Sequence, residues 1–229
     1  MLKLIRLEWK KNHIKKYIWI TVVITAILQL FIIAMAKELE SVVPIQGSGK
    51  SMLAVSIDLF AHLIHIIFTG VLISAFIIDS FKKRTMDLMF SYPIGRRKIL
   101  LSQIAAVWIF GFASLLFCKL FLGAFLILTR PVTGITTTDI LTGTLSFWSD
   151  MLLSSAAMVS ISYISLLTGM LTKSSKATIV TSIIIAFLTQ GNIGDATLSN
   201  SVPFYTLLMA LAVLSVYFSV YNAETKDLM

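Results

Sequence analysis

The sequence predicts an all-α integral membrane protein with six transmembrane helices, and three observations point there. Of its 229 residues, 57% are apolar and only 13% charged, against roughly 45 to 50% and about 25% in soluble domains. The mean hydropathy is +0.91. The apolar residues also gather into runs of about 20, the length that crosses a hydrocarbon core of about 30 Å. A water-soluble fold could not enclose that much apolar surface, so residues 1–229 are expected to form a single membrane domain.

The elements follow in order. Residues 1–16 place Leu2, Ile5, Leu7, Trp9 and Ile14 among Lys3, Arg6, Lys10, Lys11, Lys15 and Lys16. That pattern predicts a basic amphipathic helix lying in the headgroup region rather than crossing it. The stretch is too polar and basic for a signal peptide, and no small-residue cleavage site follows, so the first apolar run is expected to remain as a helix. Spans are expected over residues 17–36, 53–78, 104–128, 147–171, 177–190 and 203–221. The fifth is the weakest, because its apolar run ends near Leu188 and Gln190-Gly191-Asn192-Ile193-Gly194-Asp195 is polar. It is expected to be short or broken, with the stretch before Pro203 dipping back toward the membrane. Cys118, the lone cysteine, lies in an apolar run and reads as packing; no intramolecular disulfide or Cys-based metal site can be built from it.

Cation placement sets the expected orientation. With both termini inside, cytoplasmic segments hold 15 of the 19 Lys and Arg, the outer loops hold Lys37, Lys50 and Arg130, and Lys119 lies within a span. This bias predicts a multi-pass chain with N and C termini in the cytoplasm. It accounts for most of the net charge of +8, so no nucleic-acid partner is needed to explain the basic character.

The connection over residues 79–103 is the most informative part. Thr85 can cap a short helix with Asp87 in its first turn, Met86, Leu88, Met89 and Phe90 supply apolar surface, and Pro93 with Gly95 ends it before Arg96-Arg97-Lys98. Such a rigid surface helix suits a docking site; the plainer reading is a linker obeying the positive-inside rule.

On these residues the chain resembles the permease subunits of ABC-2 type exporters, including bacitracin- and lantibiotic-immunity-like permeases. Their connection between spans two and three runs from an acidic residue through Gly-Thr and an apolar stretch to Pro, a hydrophobic residue, Ser or Gly, and Arg. The match is at Asp79, Thr85, Leu88, Pro93, Ile94, Gly95 and Arg96; the departures are Arg84 for Gly and Gln103 for Lys. The six-span layout and the amphipathic start fit as well. The motif itself covers about 25 residues.

The resemblance implies a transporter subunit rather than an enzyme. It would pair with a second permease chain, identical or paralogous, and dock two copies of an ABC ATP-binding subunit through the N-terminal helix and a coupling helix between spans two and three. ATP and Mg would be bound by that partner, with no cofactor on this chain. The implied docking residues are Arg6, Asp79, Thr85, Met86, Asp87, Leu88, Met89, Pro93, Arg96 and Arg97. A bacterial cytoplasmic membrane, export, and an amphipathic cargo such as an antimicrobial peptide follow from the same resemblance. Membrane lipid is the remaining partner.

Two motifs lead nowhere. Gly47-Ser-Gly-Lys-Ser51 looks like the end of a phosphate-binding loop, but Pro44 stands where that loop needs Gly and no strand precedes it. His62 and His65 form H-x-x-H, which lacks both the spacing and the Glu base of a zinc peptidase. No catalytic residue and no metal ligand set is predicted. An intramembrane hydrolase would need an acid-base or nucleophile constellation that is missing; a non-transporting sensor or assembly partner is the other alternative.

Charged groups inside spans are costly and usually face protein or water. Asp58, His62 and His65 share one face of span two at i, i+4, i+7. At about 1.5 Å per residue Asp58 lies roughly 7 Å deep, and Lys119 of span three roughly 13 Å deep, level with His62. An Asp58–Lys119 pair with His62 beside it is expected. It reads as a structural salt bridge, as lining of a substrate path, or as a proton-coupling group. In span four, Ala156-x-x-x-Ser160 and Ser165-x-x-x-Gly169 predict close helix packing or a dimer face.

Overall fold

The computed structural model describes residues 2–41, 52–82, 96–133, 145–193, 196–197 and 202–225. Among these the chain is helical: α1 Leu2–Lys11, α2 Ile14–Ser41, α3 Met52–Ile73, a π-helical turn Ser74–Ile78, α4 Asp79–Lys82, α5 Arg96–Thr133, α6 Leu145–Ile161, α7 Ile164–Thr172, α8 Ser175–Gln190 and α9 Val202–Thr225. The exception is a two-residue antiparallel ladder, β1 Asn192–Ile193 with β2 Ala196–Thr197, in which Asn192 faces Thr197.

Among the described residues, five stretches are long and apolar enough to cross a membrane: Ile14–Ala36, Leu53–Phe81, Arg97–Thr129, Phe147–Thr172 and Pro203–Tyr221. The fifth expected span falls on α8, an apolar helix that is shorter than these five: its 16 residues extend about 24 Å at 1.5 Å per residue. It stops because Gly191 turns extended (φ −68°, ψ 150°) and the ladder follows. The expected N-terminal helix over residues 1–16 is shorter too. His13 takes a left-handed conformation (φ 50°), and Asn12 folds its side-chain amide back onto the Glu8 carbonyl at 3.1 Å, which closes α1 before α2 begins. The expected coupling helix around Thr85 lies outside the described residues.

Many hydroxyls inside these apolar helices bond back to the carbonyl one turn earlier, which satisfies their donors within the helix. Thr25 donates to the Thr21 carbonyl at 2.8 Å, Thr69 to His65 at 2.7 Å, Ser155 to Met151 at 2.7 Å and Thr181 to Ala177 at 2.8 Å.

The chain divides into two compact units. The first comprises Met1–Ile14, Leu63–Phe112 and Ala156–Met229; the second comprises Lys15–His62 and Ala113–Ser155.

In the first unit α7, α8, α9 and the π turn pack together. The packing is close because glycines permit it. A Cβ on Gly70 would overlap the Ser182 side chain, and one on Gly169 would overlap Thr178 and meet Ile78 Cδ1 at 2.9 Å. Span four is interrupted between α6 and α7, where Ser162 and Tyr163 leave the regular helix. The freed groups are taken up by α9: the Ser215 hydroxyl donates to the Tyr163 carbonyl at 2.7 Å and accepts from the Leu167 amide at 3.2 Å. The Tyr163 hydroxyl in turn donates to the Ile104 carbonyl at 2.8 Å.

In the second unit α2 buries Thr21, Thr25, Leu28, Gln29, Ile32 and Ala36, a stripe at helical spacing. Its other face exposes Trp19, Val23, Ile27 and Leu30. The face turned inward is thus the more polar one, the reverse of a helix on a water-soluble core.

Candidate functional site

Three side-chain clusters combine charge with burial, one in the second unit and two in the first.

The second unit holds the intramembrane cluster. Lys119 Nζ of α5 lies 2.9 Å from Asp58 Oδ1 of α3 and donates to Ser154 Oγ of α6 at 3.3 Å. Ser154 also donates to the Met151 carbonyl at 3.2 Å. One ammonium therefore ties three helices together through groups that would each be expensive alone in hydrocarbon. His62 is buried in the same unit, while His65 belongs to the first unit, where its ring meets Phe68 edge-on. Sequence reading missed Ser154 as the second partner of Lys119; a hydroxyl in an apolar run was the available signal. It also missed Gln29, which is buried on α2 with both amide heteroatoms lacking a hydrogen-bond partner among the described residues.

In the first unit, α1 is fastened by polar contacts. Trp9 Nε1 donates to the Ala106 carbonyl at 3.1 Å, and Lys11 Nζ reaches Ser80 Oγ at 3.5 Å. Glu8, 4% exposed, accepts from Gln103 Nε2 at 3.4 Å and lies 3.8 Å from Lys11 Nζ. Ile5 is buried on the same side, while Lys3, Arg6, Leu7 and Lys10 are exposed. The packed face of α1 is therefore partly a carboxylate face, and its outer face is cationic.

The third cluster surrounds Ser175 at the start of α8. Asp79, at the first position of α4, accepts a hydrogen bond from the Ser175 hydroxyl, and Ser74 donates to the Ser175 carbonyl at 3.3 Å.

Of the docking residues expected from sequence, Arg6 and Arg97 are exposed, and Asp79 bonds within its own unit. Arg96 opens α5. Thr85, Met86, Asp87, Leu88, Met89 and Pro93 lie outside the described residues. Among the described residues no group of three or more His, Cys, Asp or Glu side chains could hold a metal ion.

Buried polar contacts thus fasten these spans to one another within each unit, and comparison with known proteins shows the family to which they belong. Residues 4–191 match the family described as ABC-2 family transporter protein. The chain belongs to the ABC-2 transporter family. As a family member with several apolar helices it is a multi-pass membrane protein and a transporter subunit rather than an enzyme. Permeases of this family normally work with an ABC ATP-binding subunit. The chain is also similar to the uncharacterized protein YcbO of Bacillus subtilis, at 23% identity over 229 residues that cover 99% of this chain and 100% of the relative. No solved structure matches it.

Proposed function

We propose that this ABC-2 protein is the permease subunit of an ATP-driven exporter in a bacterial cytoplasmic membrane. It works as one of a pair of permease chains served by two ATP-binding subunits, which bind ATP and Mg. The observation that carries the reading is the family match over most of the chain. The concentration of Lys and Arg in residues 1–16, 79–103 and 173–176 supports an orientation with both termini in the cytoplasm.

The ATP-binding subunit docks on the segment joining α4 to α5 and on the outer face of α1. Arg6, Arg96 and Arg97 supply charge, Asp87 an acidic contact, and Thr85, Met86, Leu88, Met89 and Pro93 the apolar joint. Asp79 stands apart from this set, since its carboxylate is engaged by Ser175. The cargo is amphipathic or hydrophobic, with antimicrobial peptides as the leading class. The Asp58–Lys119–Ser154 cluster fastens the helices beside its path.

The test is affinity purification of the full chain from detergent-solubilised membranes, followed by identification of bound proteins and an ATPase assay of the eluate. An ATP-binding subunit that is present with the wild-type chain and lost with Arg96→Glu/Arg97→Glu supports the reading and the docking site together. A folded wild-type chain that retains no ATPase under conditions preserving labile complexes rejects it.

A further inference from the structure

The N-terminus of α8 is held from another helix by side-chain bonds to Ser175. Ser174 occupies the N-cap position with extended dihedrals (φ −128°, ψ 117°), yet its own side chain makes no capping bond. Instead the Ser175 hydroxyl donates to the Asp79 carboxylate, and the Ser175 carbonyl accepts from the Ser74 hydroxyl at 3.3 Å. A carboxylate at a helix N-terminus is favoured by the unpaired amides and the helix dipole. Hydrogen bonds to ionised groups are also roughly twice as strong as neutral ones.

The π turn is what allows two residues of one helix to grip the same serine. Residues five apart on an α-helix stand about 140° apart around the axis. Here the Asp79 amide bonds back to the Ser74 carbonyl, closing the wider five-residue turn that brings such residues onto one side. Below the grip, Gly70 lets Ser182 approach, and Gly169 admits Thr178 and Ile78, so α8 packs closely against the end of span two. The segment joining α4 to α5 starts directly after Lys82.

We propose that Ser175 is a positioning residue for transport: movement imposed on the segment between α4 and α5 is delivered to α7 and α8 through the bonds of Asp79 and Ser74 to Ser175. This rests on the reading that the segment receives the ATP-binding subunit. The short helix α8 is then driven from span two, and the π turn sets the register of that drive.

The experiment is hydrogen–deuterium exchange on the full chain with its ATP-binding partner in nanodiscs, with and without ATP and Mg, for wild type, Asp79→Ala, Ser175→Ala and Ser175→Thr. In wild type, nucleotide changes exchange both in residues 83–95 and in the first turn of α8. Both alanine variants keep the first response and lose the second, while Ser175→Thr, which retains the hydroxyl, keeps both. Without nucleotide, the alanine variants exchange roughly tenfold faster than wild type at the first-turn amides of α8.

An α8 response that survives in both alanine variants overturns the proposal, as does unchanged exchange there without nucleotide. A wild-type chain with no ATP-binding partner overturns the docking reading and the delivery step with it. The nucleotide-free arm still decides whether Asp79 holds the end of α8.

Discussion

Lys119 and Asp58 form an uneven ion pair: at an N···O distance of 2.9 Å, the lysine side chain is 4% exposed and the aspartate 37%. The cost of breaking such a pair falls on whichever charge is left behind, and the buried one suffers more. Asp58→Asn strands a sealed ammonium beside the neutral Ser154 hydroxyl, whereas Lys119→Met leaves a carboxylate with access to its surroundings. Asp58→Asn is expected to destabilise the chain by about 2 to 4 kcal/mol. Lys119→Met should cost clearly less, and the double variant should resemble it. Thermal unfolding in detergent followed by tryptophan fluorescence ranks the three; equal losses from the two single variants would refute the asymmetry.

Ser215 replaces hydrogen bonds that the break in span four removes. Alanine there leaves the Tyr163 carbonyl and the Leu167 amide without that hydroxyl in a water-poor interior, at a cost of about 1 to 3 kcal/mol. Ser215→Ala should lower the unfolding temperature and speed amide exchange at residues 164–168. Wild-type values for both would show that the interruption is satisfied some other way.

The glycine contacts make a compensation prediction. Gly70→Ala places a Cβ into the Ser182 side chain, so folded yield should fall, and adding Ser182→Gly should recover much of it. Gly111→Ala, whose Cβ would meet Thr69 Oγ1 at 3.2 Å and Val159 Cγ1 at 3.4 Å, should be tolerated far better. If Gly70→Ala and Gly111→Ala behave alike, the close approach of α3 to α8 is wrong.

Gln103 meets Glu8 through its amide nitrogen alone, while its Oε1 is buried with no hydrogen-bond partner among the described residues. Lysine at this position removes that bare oxygen and supplies a charge-assisted bond to the carboxylate, a gain of about 1 kcal/mol. Gln103→Lys should therefore protect Lys10 and Lys11 from limited trypsin digestion, and Glu8→Ala should expose them. Faster cleavage in Gln103→Lys would count against the packed carboxylate face of α1.

Much of the architecture was legible in the chain itself. The ends of the apolar stretch in α2 and the start of α9 fall within a few residues of expectation, because long apolar runs bounded by charge leave little choice of span. Asp58 and Lys119 were legible as partners because buried charge in lipid demands compensation. The shortness of α1 was not legible: the stop depends on His13 turning left-handed and on Asn12 reaching back to Glu8. The role of Asp79 was read from its position beside the basic connection, and its bond to Ser175, 96 positions away, has no local signature.

The sequence by itself determined that this protein lives in a membrane, roughly where its helices cross, and which polar groups could not stand alone there. Those are one-dimensional properties, set by the length of apolar runs and by the cost of charge in hydrocarbon. The tertiary structure alone decided which face of each span meets protein. In α2 that is the face carrying Thr21, Thr25 and Gln29, while Trp19 and Leu30 point outward. Apolar side chains are as comfortable against lipid as against one another, so facing is settled by hydroxyl and charge pairing and by the glycine gaps at Gly70 and Gly169. These exist only once distant helices have met.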